Sequence, residues 1–303
     1  MSLYGSMQEL IGNTPLVRLS GLGFPDRFKV YAKLELYNPA GSVKDRIGKT
    51  MLEDAEAKGL LKPGATIIEA TAGNTGLGIA FAALGRGYKL IFTVPTKFSQ
   101  EKQTLLRALG AEVVNTPLEE GMLGAAKKAE ELRGQIPGAI TLEQFKNPGN
   151  PKAHYQTTGP EIYRDLNGQL DFLVAGAGSG GTYTGVLRYL KEQNPQIQGV
   201  LADPVGSTIG GGEHGNYCIE GIGNDFVADT MDISLVDRVI KVNDEEAFAG
   251  VKTLARKEGL FVGSSSGAAL AAVQKLQSLV PGGTVVVIFP DRGERYFSKN
   301  IFD

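Results

Sequence analysis

Cysteine is nearly absent from this chain. Cys218 is the one cysteine among 303 residues, and histidine occurs only at His154 and His214. A single thiol excludes an intramolecular disulfide, and two histidines with one cysteine form no zinc-ligand pattern. No motif surrounds Cys218, so we interpret it as a passive thiol, while a catalytic thiol stays open. The sequence therefore predicts neither a disulfide nor a metal site.

A surplus of charge of one sign is also lacking, since 31 basic and 33 acidic residues give a net charge of -2. Charges of both signs are interspersed and provide no field for nucleic acid or an anionic membrane. No apolar run reaches the roughly 18 to 20 residues that span a bilayer, and the amino terminus lacks a basic-then-apolar signal pattern. We therefore expect a cytoplasmic protein without nucleic-acid or membrane partners.

Glycine and proline, in contrast, punctuate the whole chain. The 41 glycines and 14 prolines separate short apolar runs from longer segments with helical periodicity. Strands are predicted at 66–69, 89–94, 111–115, 172–175, 199–202, 238–242 and 284–289. Amphipathic helices are predicted at 46–58, 75–85, 99–109, 119–132, 184–193, 244–257 and 268–279. This alternation indicates an α/β fold with a mostly parallel sheet covered by helices.

The stretch around Lys44 is the first candidate site. An alternating apolar run at 30–36 predicts a strand, 38–41 predicts a turn, and the residues from Ser42 onward suit a helix start. Lys44 then lies in the first turn, where backbone amides and the helix dipole disfavour an ammonium. A lysine with a lowered pKa can act as an amine nucleophile or base. The alternative for a lone lysine is a solvated side chain at a helix start.

Two glycine-rich turns follow predicted strands. The run Thr71-Ala72-Gly73-Asn74-Thr75-Gly76 opens the helix after the strand at 66–69, and 176–185 opens another helix. Small residues at a helix start let backbone N–H groups approach an anion. The alternatives are capped turns and, for 176–185, a dinucleotide site. Asp203 supports a dinucleotide, but the glycine spacing does not match the dinucleotide fingerprint.

The motifs in their order resemble one enzyme family. The run Asn38-Pro39-Ala40-Gly41-Ser42-Val43-Lys44-Asp45-Arg46 resembles the cofactor-lysine motif of the fold-type II pyridoxal phosphate enzymes, which include the cysteine synthases (O-acetylserine sulfhydrylases) and the cystathionine beta-synthases. The runs 11–16 (Ile-Gly-Asn-Thr-Pro-Leu), 220–223 (Glu-Gly-Ile-Gly) and 293–296 (Gly-Glu-Arg-Tyr) extend the resemblance over nearly the whole chain.

The resemblance implies a tryptophan synthase beta-like fold. It has two domains of mostly parallel twisted sheet flanked by helices. We expect a larger cofactor-phosphate-binding domain from residues 1–42 and 153–303, and a smaller mobile substrate-binding domain from 43–152. The segment 144–153, rich in proline, asparagine and glycine, marks the boundary.

The resemblance also implies roles for individual residues toward pyridoxal 5'-phosphate. Lys44 is implied as the Schiff-base lysine, Asn74 as a contact of the phenolic oxygen, and Ser265 as the partner of the pyridine nitrogen. Without the resemblance, the serines before the helix at 268 would be a helix cap. The implied cup for the cofactor phosphate consists of Gly178, Ser179, Gly180, Gly181 and Thr182.

Substrate contacts are implied in three segments. The loop with Thr71, Ala72, Gly73 and Thr75 is implied to bind the substrate carboxylate, and Gln144 to bind it from a second segment. Gly221 belongs to a loop over the face of the cofactor. Ala72 stands where the family usually has serine, so one hydroxyl is missing there.

The implied reaction is β-replacement. O-acetyl-L-serine or L-serine loses its leaving group to give an aminoacrylate, to which sulfide adds to give L-cysteine or homocysteine adds to give L-cystathionine. Lys44, once displaced by the substrate amine, is implied to remove the Cα proton. Both nucleophiles and both first substrates stay open, and we expect a homodimer. The alternatives from other classes are a catalytically idle binding or regulatory protein on this fold and a nucleotide-binding dehydrogenase.

Overall fold

The computed structural model describes residues 3–71, 73–96 and 98–303. These residues form nine strands: β1 (Leu16–Arg18), β2 (Phe28–Leu34), β3 (Thr66–Ala70), β4 (Lys89–Pro95), β5 (Glu112–Thr116), β6 (Phe172–Gly176), β7 (Gln198–Pro204), β8 (Arg238–Val242) and β9 (Gly283–Phe289). The same residues form nine α-helices: α1 (Lys44–Ala57), α2 (Asn74–Ala82), α3 (Gln100–Ala108), α4 (Gly121–Gln135), α5 (Gly149–Gln156), α6 (Thr158–Asp165), α7 (Gly181–Gln193), α8 (Asp244–Glu258) and α9 (Ser264–Gln277). Every strand and helix predicted above has its counterpart, usually within three residues at each end.

Two sheets organise the described chain. The larger has the order β1-β2-β9-β6-β7-β8, and the smaller has the order β3-β4-β5. Only β1 is antiparallel to its neighbour, and the other pairs are parallel. Strand β9 lies between β2 and β6, with Val285 opposite Val30 and Phe172. Its valines 285–287 are fully buried, as expected for a strand covered by helices on both faces.

The expectation of amphipathic helices is wrong for α2 and α9. All residues of α2 from Thr75 onward are buried, and so are the first ten residues of α9. Close helix crossings bury the face that would otherwise meet water. A Cβ on Gly48 of α1 would lie 2.3 Å from the carbonyl carbon of Gly78 in α2, so the two backbones touch there. A Cβ on Gly267 of α9 would similarly lie 2.0 Å from the Ala247 carbonyl oxygen in α8.

The predicted boundary segment 144–153 contains the start of α5. The two helices α5 and α6 were not predicted from the sequence. Helix α5 packs against α1 and α7. A Cβ on Gly185 of α7 would lie 2.1 Å from the carbonyl oxygen of Pro151 in α5. The division into two domains stays a prediction. No helix in the described ranges is long and apolar enough to cross a bilayer.

Candidate active site

A cavity of about 920 Å³ opens at the carboxyl ends of strands from both sheets. Its wall includes Thr71 after β3, Gly176 at the end of β6 and Asp291 after β9. The carboxyl ends of parallel strands are where α/β proteins commonly bind ligands. Because both sheets contribute, a ligand in this cavity would contact both.

Lys44 lies on the cavity wall as the first residue of α1, as predicted. Burial lowers the pKa of Lys44 to about 8, while the negative charge of Asp291 acts to raise it. Burial is the larger of these two effects, and it lowers the pKa in the direction that the sequence predicted. The amine is therefore partly unprotonated near neutral pH.

Behind Lys44 lies a group of buried charges that sequence reasoning missed, which we call the closed network: Lys33, Glu35, Arg46 and Glu161. Arg46 donates two hydrogen bonds to Glu35 (2.7 and 2.8 Å) and two to Glu161 (2.7 and 2.8 Å). Lys33 Nζ lies 2.8 Å from Glu161. Burial acts to raise the pKa of Glu35, but Arg46 outweighs it and the pKa falls to about 2. Two cations and two anions thus balance, and they fix the first turn of α1 against β2 and α6.

The Thr71 hydroxyl accepts hydrogen bonds from the N–H groups of Gly73 (2.9 Å) and Gly76 (3.2 Å), which fixes the start of α2 against Thr71. The Thr75 hydroxyl donates to Gln144 Oε1 at 2.6 Å, so the two predicted substrate segments meet. Thr71, Asn74, Thr75 and Gln144 line the cavity. Gly73 instead packs on Lys102. Ala72 lies outside the described residues.

Glu69 holds the Gln144 segment and was not predicted. Its carboxylate accepts hydrogen bonds from the backbone N–H groups of Leu142 (3.0 Å), Glu143 (3.0 Å) and Gln144 (3.1 Å). Burial raises the pKa of Glu69 to about 7, against the lowering effect of these hydrogen bonds. Glu69 therefore fixes Gln144 beside Thr75 through the backbone.

The predicted phosphate cup lies at the start of α7. Gly178, Ser179, Gly180 and Thr182 line the cavity and offer amide and hydroxyl donors. Gly180 has a φ of 79°, and a Cβ there would lie 2.4 Å from Met231 Cβ, so glycine is required. Gly181 opens α7 but is turned away from the cavity, toward Asn150.

His154 supports the cup from behind. Its Nε2 lies 3.1 Å from the Thr182 hydroxyl and its Nδ1 lies 2.9 Å from the Thr158 hydroxyl. Burial, with the charge of Arg46, lowers the pKa of His154 to about 3. The imidazole is therefore neutral at physiological pH, and it orients Thr182 without adding charge.

Ser265 lies in the first turn of α9 and lines the cavity. Its hydroxyl makes no hydrogen bond to the described residues, whereas the Ser264 hydroxyl accepts one from the Glu220 N–H (3.0 Å). Gly221 has a φ of 91°, and a Cβ there would lie 3.9 Å from Ser265 Oγ. The structure thus brings Gly221 over Ser265, with the Ser265 hydroxyl free for a ligand.

A second polar group, which we call the open network, consists of Asn74, Lys102, Asp291, Arg295 and Tyr296, all of which except Arg295 line the cavity. Asn74 donates to Asp291 Oδ2 (2.7 Å) and accepts from Arg295 (2.7 Å), so one of its amide hydrogens is left for a ligand. The Tyr296 hydroxyl donates to Asp291 Oδ2 (2.5 Å). Lys102 donates to that hydroxyl (2.8 Å). This network joins α2 and α3, beside the smaller sheet, to the segment after β9.

Two other residues considered from the sequence have their own partners. Asp203, on which the dinucleotide interpretation depended, is buried and accepts from Lys241 Nζ (2.6 Å) and the Gly210 N–H (3.0 Å). This geometry gives the dehydrogenase alternative no support. Cys218 lies at the cavity wall, where burial and the Asp244 carboxylate raise the pKa of its thiol. A neutral thiol agrees with the passive interpretation. In the described ranges, no group of three or more His, Cys, Asp or Glu could hold a metal ion.

Comparison with known proteins identifies the family. A model of pyridoxal-phosphate dependent enzymes matches residues 7–291. An O-acetylserine dependent cystathionine beta-synthase of Bacillus subtilis (strain 168) is 49% identical over 304 residues, covering 100% of this chain and 99% of the relative. A cysteine synthase of Helicobacter pylori (strain J99 / ATCC 700824) is 47% identical, with 98% of both chains covered. The crystal structure of an O-acetylserine dependent cystathionine beta-synthase from Helicobacter pylori matches with a TM-score of 0.96 at 46% identity, covering 100% of both chains. The fold is that of the fold-type II enzymes, and the chain belongs to the family of pyridoxal-phosphate dependent enzymes.

Proposed function

We propose that this protein catalyses pyridoxal phosphate-dependent β-replacement, in which a sulfur nucleophile replaces the leaving group on Cβ of O-acetyl-L-serine or L-serine. The product is L-cysteine with sulfide and L-cystathionine with homocysteine. One observation carries the proposal: the amine of Lys44, with a pKa of about 8, shares a cavity with an anion cup and a free serine hydroxyl. The names of the relatives support the same reaction class.

The residues of the cavity fit pyridoxal phosphate. The amides and hydroxyls at 178–182 suit a phosphate dianion at a helix start. Ser265 would meet the pyridine nitrogen, Asn74 the phenolic oxygen, and Lys44 would hold the cofactor covalently. When bound, the cofactor withdraws electrons from Cα of the amino acid, which acidifies the Cα proton and allows the leaving group on Cβ to depart.

Lys44 acts as the base in this proposal. Freed by the substrate amine, its own amine takes the Cα proton, and a pKa of about 8 matches a base that works near neutral pH. A serine hydroxyl at position 265 does not enforce protonation of the pyridine nitrogen. A neutral hydroxyl at this position therefore suits elimination from Cβ better than transamination, for which a carboxylate partner would be expected.

The substrate carboxylate binds at the loop 71–75. Amides at the start of α2 and the Thr75 hydroxyl supply donors, and Gln144 is held beside Thr75 by the hydrogen bond between them. A carboxylate at this place would orient the amino acid between Lys44 and the cup. We propose that its binding closes the smaller domain (43–152) over the cavity, which excludes water from the reaction.

The setting of the enzyme is part of the same proposal. A homodimer and a cytoplasmic location fit the family resemblance and the balanced charge of -2. Light scattering during size-exclusion chromatography measures the oligomeric state, and a mass of one chain would contradict the dimer.

Replacement of Lys44 by alanine tests the proposal. We expect turnover of O-acetylserine with sulfide or homocysteine to fall by about 10²- to 10⁴-fold or more, because the base is lost. The fold should persist, as measured by circular dichroism. The matched control is Lys62→Ala, at an exposed lysine outside the cavity, which should behave like the parent. Undiminished β-replacement by Lys44→Ala would refute the proposal.

A further inference from the structure

Asp291 is a buried carboxylate to which the proposed function gives no role. The residue is 1% exposed and lies on the same cavity wall as Lys44. Oδ2 accepts hydrogen bonds from Asn74 and Tyr296. Oδ1 is buried and accepts no hydrogen bond from the described residues. Buried carboxylate oxygens are normally paired, so an unpaired one at a cavity wall indicates a missing partner.

The backbone fixes Asp291 beside the start of α1. Asp291 forms an isolated antiparallel bridge with Ser42, two residues before Lys44, and the Val43 N–H donates to the carbonyl of Pro290 at 2.8 Å. On the other side, a Cβ on Gly263 would lie 2.3 Å from Oδ1. The carboxylate is therefore confined between Gly263 and the strand-to-helix turn that carries Lys44.

Two cations, Arg295 and Lys102, each bond to a hydrogen-bond partner of Asp291 and already have acceptors of their own. Arg295 donates to Asn74 Oδ1 and to the Ala40 carbonyl. Lys102 donates to the Tyr296 hydroxyl and pairs with Glu220 at 3.2 Å. Lys44 makes no hydrogen bond or ion pair through its amine with the described residues. It interacts with Asp291 through charge, which raises its pKa against the effect of burial.

We propose that Asp291 is the counter-ion of the Lys44 ammonium and positions the proton that Lys44 takes from the substrate. This inference rests on the proposed function, in which Lys44 is the base. The proton leaves Cα, the electron pair stays on the substrate, and the Lys44 amine becomes an ammonium. Asp291 remains a carboxylate and accepts a hydrogen bond at Oδ1. The ammonium is then a weaker acid and keeps the proton while the leaving group departs.

The pKa of Lys44 in the full-length protein freed of cofactor tests this positioning role. Acetic anhydride labels the amine at a series of pH values, and mass spectrometry compares the Lys44 peptide with that of exposed Lys62. In Asp291→Asn we expect the pKa of Lys44 to fall by about one unit or more, because the opposite charge is lost. The acid limb of the kcat profile of the cofactor-loaded enzyme should move to lower pH by the same amount.

Tyr296→Phe is the matched control, since it removes a donor to Asp291 and keeps the carboxylate. The pKa of Lys44 should not fall in this variant. If Asp291→Asn does not fold, Asp291→Ser should give the same fall in pKa. An unchanged pKa in the Asp291 variants, or an equal fall in Tyr296→Phe, would overturn the inference.

The two proposals can fail separately. If Lys44→Ala is inactive and the pKa of Lys44 does not respond to Asp291, the proposed function stands and only the counter-ion is wrong. If Lys44→Ala retains turnover, the proposed function fails whatever the labelling gives.

Discussion

The closed network behind Lys44 and the open network beside it are both buried and polar, yet they differ in how completely their atoms are paired. In the closed network, both carboxylates and both cations have partners, and the Thr14 hydroxyl and backbone carbonyl complete the set. In the open network, Asp291 Oδ1 has no partner among the described residues. A fully satisfied network rigidifies its surroundings, whereas a partly satisfied one retains capacity for a ligand or a proton.

Position in the fold agrees with this difference. The closed network lies away from the cavity, where its charges can only hold α1 in place. The open network forms part of the cavity wall and joins residues from the two sides of the cleft. Buried charge near the cavity therefore has two separate roles: the closed network anchors α1, and the open network remains available to a ligand or a proton.

Breaking the closed network should give the largest effect on stability. Arg46→Gln would leave Glu35 and Glu161 buried with one cation between them. We expect the free energy of unfolding to fall by about 3 to 5 kcal/mol, measured by urea denaturation. Arg133→Gln is the control, because Arg133 and Glu130 form an exposed pair and should leave stability nearly unchanged. Equal stability of Arg46→Gln and the parent would show that the closed network does not anchor α1.

A smaller effect should appear as a pH dependence of stability that His154 causes, because burial and the charge of Arg46 lower its pKa. Its pKa is about 3 when folded against 6.5 for an unperturbed histidine, so below pH 6.5 the unfolded chain binds a proton that the folded protein does not. The contribution of His154 to stability is therefore constant above pH 6.5 and is lost as the pH falls, by about 1.4 kcal/mol per unit. At pH 5 this amounts to about 2 kcal/mol.

The measurement compares the parent with His154→Gln. Urea denaturation between pH 7 and pH 5 should give a steeper loss of stability for the parent, because glutamine does not titrate. Parallel curves for the two proteins would mean that His154 titrates normally in the fold.

The smallest expected effect is a difference in hydrogen exchange between the segments that hold the two networks. A substrate analogue with a carboxylate should increase protection from hydrogen exchange at 71–75 and in α3, since the open network joins these segments to the residues after β9. Protection in α6, which holds Glu161 of the closed network, should not change. An equal change in protection in α3 and α6, or no change in either, would argue against closure of the smaller domain.

Much of the fold could be predicted from local sequence. The strand at 238–242 has the predicted bounds, and the helix predicted at 244–257 differs from α8 by one residue. Helices α5 and α6 were missed, since Pro148, Pro151 and Pro160 suggest a break. In the structure these prolines lie at helix caps and in first turns, where the missing N–H is tolerated. Packing against α7 then stabilises short helices that local propensity does not favour.

The candidate site likewise contains residues that local sequence predicts and residues that it does not. Lys44, Ser265 and the cup belong to compact motifs, in which turn chemistry and neighbouring residues carry the signal. Glu161 and Arg46 are 115 residues apart in the sequence, and no local pattern marks Glu161 as the partner of Arg46. Asp291 and Lys102 likewise acquire their surroundings only from tertiary contact between distant segments.

The contact between α1 and α2 has a mechanical consequence. A Cβ on Gly78 of α2 would lie 2.2 Å from the carbonyl oxygen of Lys44, so the helix that carries the substrate loop rests on the lysine backbone. Arg46, two residues on, ties the same turn to Glu35, just after β2, and to Glu161 in α6. The turn is therefore held in place by contacts on both sides. If the smaller domain rotates about this turn in the proposed closure, displacement increases with distance from the turn. Helix α3 would then move across the cavity opening while Lys44 keeps its distance from the cup.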